Sequence, residues 1–307
     1  IQSMLIQQWL TIQLIFIILY PKKYIIINPK KKLHDYIDDS GDSIKKILSS
    51  SKTISNSSWN NVNYETVNYD LKYELLASES IEVENSDKGL YMLKDDYGKS
   101  YYYRGNVKNN NVYFDGFYWK IVRINGNQTL RLIYNGKSIN DLGPTIGNVK
   151  YNEDGSSPAY VGYMYGKEIN TRENSIKNEV DSTVKSIVDN WYKNNILNTN
   201  FENFVADSGF CNDRSLSSGD GYSVSKDTHF GAYERMATST AQLVCPDVSN
   251  DLFTLNTSSI GNKALTYPIG LITIDELLLS GITNHVNKYS YLYTPGLYRT
   301  MTPSAYG

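Results

Sequence analysis

Apolar and polar positions are most tightly interleaved between residues 101 and 136, "YYYRGNVKNNNVYFDGFYWKIVRINGNQTLRLIYNG". Asp115-Gly116 and Asn125-Gly126 are dipeptides that tolerate the positive φ of tight hairpin turns, and they divide the stretch into three strands. The expected meander runs Val112 to Phe114, Phe117 to Ile124 and Thr129 to Asn135. Side chains alternate along a strand, so Phe117, Trp119 and Ile121 share one face while Tyr118, Lys120 and Val122 share the other. A two-residue loop at Asn125-Gly126 would set Lys120 opposite Arg131, a like-charge pair that costs stability. A four-residue loop, Asn125 to Gln128, sets Lys120 opposite Ile133 and Trp119 opposite Tyr134, and is the expected register. Both registers put the same apolar set, including Leu132, on one face, because they differ by two residues.

The period changes downstream. In "ENSIKNEVDSTVKSIVDNWYKNNI" the apolar residues Ile176, Val180, Val184, Ile187, Val188 and Trp191 form one stripe, which predicts an amphipathic helix packed on a core. A second helix is predicted by "TIDELLLSG", where Thr273 and Glu276 have capping-box spacing and Gly281 can close the carboxyl end. Residues 198 to 262, between the two helices, read as loop-rich. Strands, helix, long loops and helix in that order give an α+β class. The expected core contains Phe117, Trp119, Ile121, Leu132 and Trp191.

The amino end breaks both periods. "WLTIQLIFIILY", residues 9 to 20, is almost unbroken apolar sequence, followed by "PKKYIIINPKKK". It falls short of the roughly 20 residues that cross a bilayer, and its lysines follow the apolar run rather than precede it as an export signal requires. Residues 1–37 are read as a membrane-proximal or signal-like segment, with a buried strand or helix as the alternative. Residues 38–87, rich in Ser, Asn and Asp, read as a polar linker or stalk, and residues 88–307 as the folded domain.

Composition narrows the chemistry. The chain of 307 residues is 40% hydrophobic, enough for a real core, and its net charge of -2 provides no overall field for nucleic acid. Arg104, Lys108, Lys120, Arg123 and Arg131 could still make the aromatic meander a local nucleic-acid surface, but "FYWKIVRI" lacks the glycine spacing of an RRM strand. Its cations read instead as a solvated face. Tyrosine stands out, with 27 copies against 8 Phe and 4 Trp, and implies a hydrogen-bonding surface on a β-rich body. No GxSxG elbow or HExxH helix surrounds any serine or histidine, which leaves hydrolysis without machinery. "YNEDGSS" and "CNDRSLSSGDG" cluster oxygen donors as calcium loops do, without EF-hand spacing, so calcium is the cofactor that remains open. The two cysteines, Cys211 and Cys245, are either a bridge or two separate thiols.

The ordered blocks "KGLYMLKDDYGKSYYYRGN", "AYVGYMYG", "IVDNWYKNN", "DSGFCNDRS", "CPDVSNDLFT", "GNKALTYPIGLITIDELLLSG" and "YLYTPGLYRTMTPS" resemble a family of uncharacterised bacterial cell-surface proteins, mostly Gram-positive. Their domain is similar to the formylglycine-generating-enzyme and C-type-lectin-like folds. The resemblance covers about Lys88 to Gly307. It implies a disulfide between Cys211 and Cys245, an oxidising extracellular location at a cell membrane, and a carbohydrate or protein ligand on the loops, with Asn212, Asp213, Arg214, Asp220 and Tyr222 as contacts. Formylglycine-generating enzymes use a cysteine pair in a later segment, and no cysteine follows Cys245, so the resemblance implies binding rather than oxidase chemistry. An enzyme of altered chemistry on the same fold is the alternative. Family members also continue beyond the "TMTPS" block, which implies further carboxyl-terminal strands.

Overall fold

The computed structural model describes residues 10–12, 15–19, 89–105, 111–127, 129–138, 141, 144–238, 240–282, 290–294 and 299–306. The expected linker, 38–87, lies outside them. Sixteen strands are found among the described residues, most of them short. In chain order they are β1 (Leu10–Ile12), β2 (Ile15–Leu19), β3 (Gly89–Asp95), β4 (Gly98–Arg104), β5 (Asn111–Phe114), β6 (Phe117–Ile124), β7 (Leu130–Tyr134) and β8 (Gly147–Val149). There follow β9 (Met164–Tyr165), β10 (Val180–Asp181), β11 (Phe210–Cys211), β12 (Leu216–Ser218), β13 (Thr228–Phe230), β14 (Leu252–Phe253), β15 (Ile269–Leu271) and β16 (Ala305–Tyr306). The helices are α1 (Arg172–Ser175), α2 (Thr183–Asn195), α3 (Gly231–Ala237), α4 (Val248–Asp251) and α5 (Ile274–Ser280). The class is α+β, with antiparallel strand pairing throughout the named sheets.

A seven-stranded sheet carries the fold, in the order β15-β2-β7-β6-β4-β3, with β5 also pairing along β6. The meander forms as its turn chemistry requires: Asp115 and Gly116 both hold positive φ, 51° and 78°, which is what a tight hairpin between β5 and β6 demands. On β6 and β7, Trp119 faces Tyr134 and Lys120 faces Ile133, the register of the four-residue loop. One extra residue then interrupts the ladder between Ile121 and Arg123. Strict alternation would set Arg123 on the Trp119 face; the bulge turns it to the opposite face, across from Arg131.

The two faces are covered differently. Trp119, Phe117 and Tyr134 pack against Trp191 of α2, with ring centroids 5.3 to 6.0 Å apart. Trp119, Ile121 and Leu132 are fully buried there, and the indole Nε1 donates to Phe114 O at 3.0 Å. Helix α5 covers the other face and is buried all round, including Asp275 and Glu276. The expected capping box is present: Thr273 accepts from the Glu276 N–H while the Glu276 carboxylate accepts from the Thr273 N–H, and Gly281 closes the helix at φ 103°.

Several expectations are corrected. The apolar run of residues 9 to 20 supplies β1, which pairs β8, and β2, which lies between β15 and β7 in the large sheet. These residues form strands, as in the buried-strand alternative, and no helix among the described residues is long and apolar enough to cross a membrane. The long helix beginning near Ile176 is shorter than its stripe. Val180–Asp181 is drawn into pairing with Met164–Tyr165, and Ser182 caps a new start by accepting from the Lys185 N–H. Residues 198 to 262 hold four short strands and two of the helices rather than loops alone. Arg104, Arg123 and Arg131 are buried, so they are not the solvated face that the alternation implied.

Candidate functional site

The bend between β3 and β4, Asp95-Asp96-Tyr97-Gly98, contributes Asp96 to a cleft also lined by Arg123, Arg131, Cys211, Asp275 and Glu276. Asp95 accepts from the N–H groups of Tyr97 and Gly126 and from Arg123 Nη1 at 2.6 Å. Gly126 must be glycine, because a Cβ there would lie 2.3 Å from Gly98 N. Asp96 Oδ1 accepts from Cys245 N at 3.0 Å, and the Tyr97 hydroxyl accepts from Gly209 N at 2.8 Å. The Cys211–Cys245 disulfide, with Cα atoms 5.6 Å apart, therefore joins a residue that lines the cleft, Cys211, to one bonded directly to the bend, Cys245.

Charge fills the floor. Glu276 Oε1 meets Arg131 Nε at 2.5 Å and Arg123 Nε at 3.0 Å, while its other oxygen caps α5. Glu276 thus bridges the like-charge Arg123–Arg131 pair that the bulge creates, and Asp95 on Arg123 supplies the second negative charge. Burial alone would raise Glu276, but Arg131 and Arg123 beside it hold it below the ordinary carboxylate range. Burial lowers Arg131 to about 10 despite Glu276. A second network runs alongside: Arg235 of α3 grips Asp275 through Nε at 2.7 Å and Nη2 at 2.8 Å, and reaches Asp213 at 2.5 Å. Asp96 differs from these acids. Among the described residues no Lys or Arg forms an ion pair with it, and burial, with some repulsion from Asp95, raises it from 3.8 to about 6.

Three of the five contacts implied for a ligand are internal. Asn212, Asp213 and Arg214 are buried. Arg214 bonds Asp251 through its backbone N–H and its guanidinium, and also Met164 O and Asn178. Asn212 accepts from Tyr163 N, and Asp213 from Arg235 and Ser215. Asp213 and Arg214 tie β11 to α3 and α4, whereas the Asn212 side-chain nitrogen is buried with no hydrogen-bond partner among the described residues. Asp220 and Tyr222 remain at the surface. Asp220 closes its own turn by accepting from the N–H groups of Ser223 and Tyr222, which hold it below the ordinary range. Lys120, half-buried, donates to Tyr291 O and is lowered by burial. With Arg104, Arg123 and Arg131 inside, these meander side chains do not form an exposed basic band; Lys108 lies outside the described residues.

The sequence reading missed a second surface. Asp154, Tyr160, Tyr165 and Tyr306 converge on the turn 154–157. The Tyr160 and Tyr165 rings meet edge to face, 5.4 Å apart at 88°. Burial raises both phenols, and the charge of the exposed Asp154 carboxylate adds to the effect. The Tyr306 hydroxyl donates to Ser156 O at 2.5 Å, and Ser157 Oγ to Tyr222 O at 3.0 Å. Among the described residues no three of His, Cys, Asp and Glu come together as a metal-ligand set. No protein-family model matches the chain, and no curated protein and no solved structure matches it either.

Proposed function

We propose that the chain is an extracellular, cell-surface binding domain of lectin-like architecture that takes a carbohydrate or protein ligand. The observation that carries this reading is the Cys211–Cys245 disulfide, which belongs to oxidising compartments and braces the loop-rich side of the fold. The buried Arg214–Asp251 and Arg235–Asp213–Asp275 bonds support the same reading, since they hold that side rigid without needing a ligand. Attachment to a membrane would then depend on residues other than 10–12 and 15–19, which are paired in sheets. Thiol titration of the folded, full-length chain without reductant tests the reading. No reactive thiol is expected; two would overturn it and favour redox chemistry.

One observation favours a second reading, an enzyme on this fold. A carboxyl poised at about 6 on a cleft wall is suited to general acid–base work near neutral pH. Under that reading Asp96 would transfer the proton, and activity on any substrate found would follow a pKa near 6 that Asp96→Asn abolishes. The binding reading expects no such profile.

A further inference from the structure

The tyrosine surface around the turn 154–157 lies apart from the charged cleft. It is assembled from three remote segments, 152–165, 220–222 and 305–306. Its parts are held rather than mobile. Ser157 caps a short turn, Pro158–Tyr160, by accepting from Ala159 N, and proline at its start fixes the local backbone. Asn152 receives the Thr183 N–H and donates to Tyr160 O at 2.5 Å, so the first turn of α2 buttresses Tyr160. Tyr306 is positioned by β16, whose Thr228 partner on β13 is fully buried. All four tyrosines, 160, 165, 222 and 306, are half-buried, with their rings neither sunk in the core nor free of support.

The chemistry of this corner selects a class of ligand. Two phenol rings at a right angle give one apolar plane for stacking and a second as a side wall. Beside these rings stands Asp154, an ionised carboxylate held below the ordinary range by the Ser156 hydroxyl and N–H, and an acceptor with lone pairs to spare, while Tyr306 reaches the same turn at Ser156 O. Flat apolar faces edged by hydroxyl-accepting carboxylates match a pyranose ring, whose axial C–H groups stack while its equatorial hydroxyls donate. A protein partner would be better served by large apolar side chains. The exposed large apolar side chains among the described residues, Leu216, Val224, Val244 and Tyr293, do not include Tyr160, Tyr165 or Tyr306.

Resting on the binding reading above, we infer that the Asp154–Tyr160–Tyr165–Tyr306 corner is a site for a neutral oligosaccharide, with Tyr160 and Tyr165 as stacking faces and Asp154 as hydroxyl acceptor. The rings and one carboxylate suffice, so binding needs no metal ion.

The test is an array of short neutral oligosaccharides of hexose and N-acetylhexosamine units, probed with the full chain and an immobilised-protein panel in parallel. Wild type should bind a subset of the sugars equally with and without EDTA. Tyr160→Ala and Tyr165→Ala should each weaken binding by about tenfold or more, as loss of an aromatic anchor does, whereas Tyr160→Phe should stay within about threefold. Asp154→Asn leaves every ring in place and should still cost several-fold, which keeps the test informative where an alanine variant folds poorly. Sugar binding that ignores all of these substitutions overturns this site but leaves the binding reading intact. Binding on the protein panel alone overturns the sugar assignment, and binding to neither panel overturns both.

Discussion

Two aromatic regions of one chain are put to opposite uses. In the meander, Phe117, Trp119 and Tyr134 alternate with polar residues on strands, and their rings pack edge-to-face or tilted against Trp191 inside the core. Around the turn 154–157, the tyrosines come from irregular segments and a short edge strand, and each keeps part of its ring at the surface. Aromatic content alone does not separate gripping surfaces from folding signatures. What separates them is where the polar ends go. The Trp119 indole is satisfied by the neighbouring Phe114 carbonyl within its own sheet, whereas Tyr160 and Tyr306 reach the exposed turn at Asp154 and Ser156. The meander grips the rest of the protein, and the corner is free to meet something else.

The contrast can be broken at several points. Trp119→Ala should cost most, about 4–5 kcal/mol in denaturant unfolding, because it empties the centre of the aromatic face. Glu276→Gln should follow at about 3–4 kcal/mol, since it removes the carboxylate that pairs with buried Arg131 and one of the two that pair with buried Arg123, which keeps Asp95. If that substitution costs no more than an exposed ion pair, the buried Arg123–Glu276–Arg131 network does not stabilise the charged face. Replacing both cysteines by alanine removes a cross-link spanning 34 positions and should cost about 2–4 kcal/mol, with the unfolding midpoint as readout.

A smaller effect comes from Asp96. Its carboxyl is raised from 3.8 to about 6 in the fold, so the folded chain holds more protons than the unfolded one between those values. Stability contributed by this group is therefore lost as pH rises through about 4 to 6, and the charged form is disfavoured above that. Asp96→Asn keeps an acceptor for the Cys245 N–H and removes the charge. Its melting midpoint should exceed that of wild type at pH 7.5 and converge with it near pH 4. A lower midpoint at pH 7.5 would mean that the carboxylate is engaged favourably rather than desolvated.

Much of the sheet was legible because it is specified locally. The Asp115-Gly116 turn, the like-charge argument against a two-residue loop at Asn125-Gly126, and the capping box at Thr273 all depend on residues within a few positions of one another. The bulge before Arg123 was not legible, since the carboxylates that make a buried arginine pair tolerable lie at Asp95 and at Glu276, the latter about 150 positions later. The helix start failed for a related reason: Val180 fits the apolar stripe, but its pairing with Tyr165 belongs to the tertiary fold. Asn212, Asp213 and Arg214 look like a polar loop in sequence and become scaffold only because Asp251 and Arg235 arrive beside them. The tyrosine corner was hidden in the same way, although the Tyr-rich composition and the "YNEDGSS" and "AYVGYMYG" blocks already held three of its four residues.

The most direct test of the contrast needs no ligand. Denaturant unfolding of the Tyr160→Ala/Tyr306→Ala double variant should fall within roughly 1 kcal/mol of wild type, as for side chains that are presented rather than packed. A loss of about 3 kcal/mol or more, the size seen when core aromatics are removed, would place these tyrosines with Trp119 as structural residues and contradict the account.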